Sequence, residues 1–326
     1  MQCENPPSLL TMLKSAGRFF LTTNIPIMFY SKKYASPIDL IALLQTRGLI
    51  INDESKAINY IKRIGYYRLS AYFYPLLESP KQLHKFKPNT SFEKALLIYR
   101  FDRQLRLFIF NHIEKIEIAI RSAISNIMSR ETNDPFWMTN PIYFANTTLF
   151  NNSIQKINNE YNTSKEDFIL HFKNTYQDKY PPSWMLAEII PLGVLTRIYQ
   201  NIRNNAIRKI IAQEFHLNIP IFDSWMTMIT VTRNNCCHHS RIWNKTYGLN
   251  AISIKKIYKP WINSTINHKK IYFNLCIIKY FMNTIVPNND MTIKLSALLQ
   301  KYPSIDIKAM GFSSNWIDED LWRYNQ

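Results

Sequence analysis

Apolar positions recur every three or four residues over most of this chain, and that spacing predicts helices. The clearest row is Leu105, Phe108, Ile109, His112, Ile113, Ile116 and Ile120, inside a long helical stretch from Thr90 to about Ser129. Ahead of it, Thr90-Ser-Phe-Glu93 reads as a capping box. There the Thr hydroxyl and the Glu carboxylate satisfy the first free backbone N–H groups. Upstream, Pro37 opens a helix that Gly48 closes. Asn52-Asp53-Glu54 starts a second, with Ala57, Ile58, Ile61 and Ile64 at helical spacing, and Gly65 breaks it. Tyr66 to Leu77 reads as a third helix with an aromatic face, and residues 78–90 as a basic loop or small hairpin. Residues 130–163 carry little signal. Helices follow over 164–178, from Pro181-Pro182 with a break at Pro191, over 206–215, over 221–234, near 268–285 and over 289–301. An aromatic, acidic stretch, Trp316 to Trp322, comes last.

The pattern implies an all-α fold. Four regions are expected: an appended extension over 1–32, an N-terminal helical region over 33–90, a main helical domain over 91–285, and a C-terminal helical tail over 286–326. Only 6 glycines occur in 326 residues. Tight β-turns need residues that tolerate positive φ, so this scarcity favours helices joined by Asn, Pro and Ser loops.

Charge then narrows the partners. Forty basic residues against 23 acidic ones give a net charge of +17, which attracts polyanions. Several aromatics lie among the cations, as in Lys62-Arg63-Ile64-Gly65-Tyr66-Tyr67-Arg68, and stacking plus phosphate attraction would use that mixture. Lys62, Arg63, Arg68, Lys255 and Lys256 are the expected RNA-binding residues. Four cysteines (Cys3, Cys236, Cys237 and Cys276) show no disulfide spacing, which is ordinary for a cytoplasmic protein. No run approaches the ~18 uninterrupted apolar residues of a membrane span; Lys279 breaks the longest one. Residues 8–21 are amphipathic but lack the form of a signal peptide.

The chemistry concentrates in Arg233-Asn234-Asn235-Cys236-Cys237-His238-His239-Ser240-Arg241-Ile242-Trp243-Asn244. A histidine, with an ordinary pKa of about 6.5, suits proton transfer near neutrality. An arginine offers a fixed fork of donors to phosphate oxygens. Together they suit RNA cleavage by internal 2′-OH attack, a reaction that needs no cofactor or metal. Geometry sets a condition. Arg233 and His238 are five positions apart, roughly 140° around an ideal helix. They share a phosphate only if Arg233 sits at a helix start or bend, or if a second copy of the motif completes the site. His239 is the rival histidine. Zinc is disfavoured, because four consecutive side chains radiate from the backbone instead of converging.

These residues resemble the signature of the Abi-like (AbiD/AbiF) abortive-infection family, within the HEPN superfamily of helical RNA-cleaving domains. Three further segments are similar to the family: Ile64 to Pro75, Phe101 to Arg121, and Pro182-Ser-Trp184-Met-Leu-Ala-Glu188. Together the four cover roughly residues 33–285. The resemblance implies a HEPN-type bundle that dimerises into a metal-independent endoribonuclease. It implies a toxin of phage defence or of a toxin–antitoxin system, restrained in some systems by a small non-coding RNA or a protein antitoxin. By position it makes Arg233 and His238 the catalytic pair and Asn234 their polar helper, with His239, Arg241, Asn244 and Glu188 in support. For Glu114, Glu117 and Arg121 a structural ion pair is expected. Tyr66, Tyr67, Tyr72 and Tyr74 are expected in core and interface. Two other readings remain open: a non-catalytic RNA-binding protein of the same fold, and a basic helical adaptor for an acidic surface.

Overall fold

The structure is a computed structural model that describes residues 33–249, 251–252 and 260–323. The expectations for residues 1–32 and for Lys255 and Lys256 fall outside the described residues.

Twelve α-helices form among the described residues: α1 Pro37–Thr46, α2 Glu54–Ile64, α3 Tyr66–Phe73, α4 Phe92–Thr132, α5 Thr147–Thr163, α6 Asp167–Thr175, α7 Ser183–Ile189, α8 Leu192–Gln200, α9 Asn205–Glu214, α10 Ile219–Cys237, α11 Ile271–Ile285 and α12 Met291–Lys301. The same residues contain no strand, only three isolated bridges. The fold is all-α.

Short polar side chains start the helices, because each can accept from an otherwise unpaired N–H group of the first turn. Ser36 and Asp39 form a reciprocal capping box on α1. Asp53, Asn146, Asn204 and Asn218 cap α2, α5, α9 and α10. The α4 cap differs from expectation by one residue: Ser91, not Thr90, accepts from the Lys94 amide. Thr90 is buried, and its carbonyl accepts from the Ile50 amide. With glycine scarce, Asn and His occupy left-handed positions: His84, Asn89, Asn133, His216, His239 and Asn244 all have φ between +49° and +57°.

The 41-residue helix α4 is the spine, about 60 Å long at 1.5 Å per residue. Its row Ile98, Phe101, Leu105, Ile109, Ile113, Ile116, Ile120, Ile124 and Ile127 is buried throughout. Each such side chain contributes about 1.5–3 kcal/mol by leaving water. Helices α3, α7, α9, α10, α11 and α12 pack against this spine. Every residue of helix α11 from Ile271 to Met282 is buried, so it runs through the core. Lys279 goes in with it and donates to Asn289 Oδ1 at 3.1 Å. Trp316, Leu321 and Trp322 are core residues; the indoles of Trp316 and Trp322 meet edge to face. No helix of the described residues is long and apolar enough to cross a membrane.

Candidate active site

Helix α10 enters from the Asn218 cap with Pro220 in its first turn, and buries Phe222, Trp225, Met226, Met228 and Ile229. It runs three residues past its expected end at 234, through Cys237. It stops in a Schellman turn, the hydrogen-bonded closure in which two amides beyond the helix return to its last carbonyls. The His239 amide donates to Cys236 O at 3.1 Å and the Ser240 amide to Asn235 O at 2.9 Å. The residue that adopts the left-handed conformation there is His239, with φ +55°. A β-carbon is strained at such a position, which is why glycine usually fills it.

Arg233 therefore sits inside a regular helix, neither at a start nor at a bend. His238, the cap residue, keeps a near-helical backbone (φ −83°, ψ 10°), and its amide donates to Asn234 O at 2.9 Å. The angular separation of the two side chains on one helix remains. The rise between them is about 7.5 Å. Asn234, His238 and His239 are exposed, and Arg233 is partly so.

The Arg233 Nε lies 3.5 Å from Glu117 Oε2 on α4. That is an ion pair without a hydrogen bond, and the guanidinium donates none within the described residues. Glu117 shares its carboxylate with Arg121, one turn further along α4. Arg121 in turn donates to the carbonyls of Ala187 and, at 2.8 Å, Ile190, tying the α7–α8 corner to the spine. The pairing of Glu117 with Arg121 is thus structural as expected, and Glu117 additionally faces the candidate catalytic arginine. Glu114 is exposed.

The residue that organises the site is one the sequence reading passed over. Asp102 is fully buried on α4 and accepts four donors. Its Oδ1 takes the amides of Ile242 (3.1 Å) and Trp243 (2.6 Å), and its Oδ2 takes the Tyr72 hydroxyl (2.7 Å) and the Arg106 guanidinium. Burial raises the Asp102 carboxyl above the usual carboxylate range, while Arg106, Tyr72 and the two amides pull it back. Its negative charge in turn raises Arg106, although burial opposes this. A charged pair one helical turn apart on the apolar row of a long helix was the available signal.

Three more bonds fasten the motif. Arg106 donates to Ser240 O at 3.2 Å, Arg68 to His239 O at 2.7 Å, and Arg241 to Ala71 O at 2.6 Å. Asn244 accepts from Lys270 at 3.2 Å. Lys245 Nζ donates to Asn235 Oδ1 at 2.6 Å, and burial lowers its pKa. Of the expected supporting residues, Arg241 thus holds the Ala71 backbone and Asn244 meets the Lys270 side chain, while Arg68, expected to bind RNA, braces the His239 turn. Because Glu117 meets residue 233 and Asp102 meets residues 242–243, the motif runs back along α4 in the opposite sense. Lys62 and Arg63 are exposed at the end of α2.

Glu188 does not join this group. It is exposed on α7 and lines a separate cavity with Glu160, Lys165 and Glu166. Tyr72 is core, as expected, but Tyr67 is 92% exposed and Tyr74 54%, so those two leave the interior. Cys236 is a buried free thiol whose pKa burial pushes up to about 12, too high for a nucleophile near neutrality. Among the described residues no three His, Cys, Asp or Glu side chains gather as a metal cluster.

The arrangement presents a guanidinium and an exposed imidazole at one helix end, on a turn pinned by buried charges. That can bind a phosphate and transfer a proton. No curated protein matches this chain, and no solved structure does. The sequence profile of the family described as Abi-like protein matches residues 59–244, from α2 through the last residue of the motif. That span exceeds half the chain, contains the spine, Asp102 and the whole α10 turn, and makes this chain a member of the Abi-like protein family.

Proposed function

We propose that the protein is a metal-independent, HEPN-type endoribonuclease that acts as a toxin in abortive infection or in a toxin–antitoxin system. Family membership supports the phage-defence setting. The carrying observation for the chemistry is Arg233. Its guanidinium donates no hydrogen bond within the described residues, and it stands five positions before the exposed His238 at a braced helix end.

In this reading Arg233 holds the scissile phosphate and stabilises the charge that builds on it. The 2′-oxygen attacks phosphorus as its proton passes to a base, and the bond to the 5′-oxygen breaks. That oxygen takes a proton from an acid. The products are a 2′,3′-cyclic phosphate end and a 5′-hydroxyl end. His238 serves as one of the two proton-transfer groups, with Asn234 as polar helper. Arg233 is neither at a helix start nor at a bend, so the pair that meets one phosphate is Arg233 of one copy and His238 of another. The active species is a homodimer, with RNA as substrate in the cytoplasm and an RNA or protein antitoxin as restraint.

The test is direct. Purified wild-type protein should cut RNA and leave cyclic phosphate ends. Arg233→Ala and His238→Ala should lose the activity while keeping the wild-type melting temperature. Full cleavage by both variants would refute the proposal.

A further inference from the structure

A second cavity, of about 620 Å³, opens beside the His239 turn. Its walls carry four guanidiniums: Arg63 from the end of α2, Arg68 from α3, and Arg103 and Arg106 from α4. No Asp or Glu lines it. Asp102 neutralises Arg106 from behind, within the core, and Arg68 spends one nitrogen on His239 O. Arg63 and Arg103 make no hydrogen bond or ion pair among the described residues and are exposed. Tyr99, Leu107 and Phe110 supply an apolar flank, and Phe110 is 38% exposed.

Like charges repel, so with Arg106 paired to Asp102, the guanidiniums of Arg63, Arg68 and Arg103 on a cavity with no lining carboxylate leave an uncompensated positive field. Arginine forks match phosphate oxygens two at a time. An aromatic and aliphatic flank beside them suits the face of a nucleobase. We infer that this cavity binds a phosphorylated nucleoside: the phosphate on Arg63 and Arg103, braced by Arg68 and Arg106, and the base against Tyr99 and Phe110. The source of that unit is the RNA strand whose bond lies at Arg233 and His238, because His239 is shared between the cavity wall and the motif. This rests on the ribonuclease reading for the identity of the strand but not for the binding itself. The cavity fixes the register of the strand and touches none of the reacting atoms. A free nucleotide shares the same chemistry and is the other source.

The experiment measures equilibrium binding by fluorescence anisotropy. The probe is a short 2′-O-methyl RNA strand, which cannot be cleaved by 2′-oxygen attack. R63E/R103E should weaken binding about tenfold or more and flatten the dependence of affinity on salt, since fewer phosphate contacts remain. R63Q/R103Q, in case charge reversal harms folding, should weaken it less but in the same direction. ATP is titrated in parallel. Failure of ATP to bind or displace the strand assigns the cavity to RNA, whereas ATP binding that R63E/R103E removes assigns it to a free nucleotide. Equal binding of strand and ATP by wild type and both double variants overturns the inference. If His238→Ala still cleaves RNA while R63E/R103E loses the strand, the catalytic assignment fails and the cavity stands.

Discussion

Asp102 holds the backbone amide of Trp243 at 2.6 Å across 141 residues of chain, and by that contact the spine helix fixes the turn of the candidate site. The same carboxylate is the buried partner of Arg106. Removing one partner of such a pair leaves an uncompensated charge in the interior, a loss of about 3–5 kcal/mol. Asp102→Ala should show that loss in urea unfolding. Tyr72→Phe, which removes a hydroxyl that donates to Asp102 and accepts from Arg106 but leaves the charged pair intact, should cost about 1 kcal/mol.

Two inactive chains should rescue each other if the site is shared between copies. Refolding Arg233→Ala with His238→Ala at equal amounts yields mixed dimers in which one of two sites keeps both groups. Activity should return to roughly a quarter of wild type, the share expected from random pairing in a two-fold assembly. A mixture as inactive as its components would mean that both groups act from one chain.

The choice between the two histidines can be read from backbone conformation. His239 has φ +55° in the closing turn of α10, a geometry that glycine adopts without strain. His239→Gly should therefore fold as well as wild type and keep cleavage, with His238 as the reacting imidazole. His239→Val should lower stability by about 1–2 kcal/mol, because a branched β-carbon is costly there. Loss of cleavage in well-folded His239→Gly would move the proton-transfer role to His239.

Lys279 should make the fold weaker at neutral pH than it needs to be. Burial lowers its pKa from 10.5 to about 8, so the folded chain holds this proton less tightly than the unfolded chain does. Stability is full above 10.5 and falls as the pH drops toward about 8. Lys279→Met removes the charge and keeps the volume. It should raise stability by about 2–3 kcal/mol at pH 7, and the gain over wild type should shrink as the pH approaches 10. Paired thermal melts at the two pH values test this. An equal difference at both would assign the effect to packing.

Local rules explain which parts were legible in advance. The α4 row at every third or fourth residue is a periodicity that only a helix satisfies while burying one face, so that helix could be read to within a few residues of its end. Pro191 cannot donate to a helix and Gly65 takes φ +89°, and both break helices where their own chemistry requires it. The α4 cap was displaced by one residue because Thr90 and Ser91 are equivalent acceptors locally. Burial of Thr90, and the bond from Ile50 to its carbonyl, separate them.

By itself, then, the sequence determined an all-α chain with a strong positive charge and a place where guanidinium, amide and imidazole groups crowd together, because those properties depend on spacing and composition. The family follows from the same string of residues. Tertiary structure alone decided that Asp102 ties the motif to the spine, that Arg233 leans on Glu117, that Arg241 braces the Ala71 backbone, that Asn244 meets Lys270, and that Glu188 lines a different cavity. It also put Lys279, which had read as the break in an apolar run, inside the core. These are contacts between residues tens to more than a hundred positions apart. No local preference encodes them, since each exists only once the apolar faces of the helices have packed and set the distances between their polar groups.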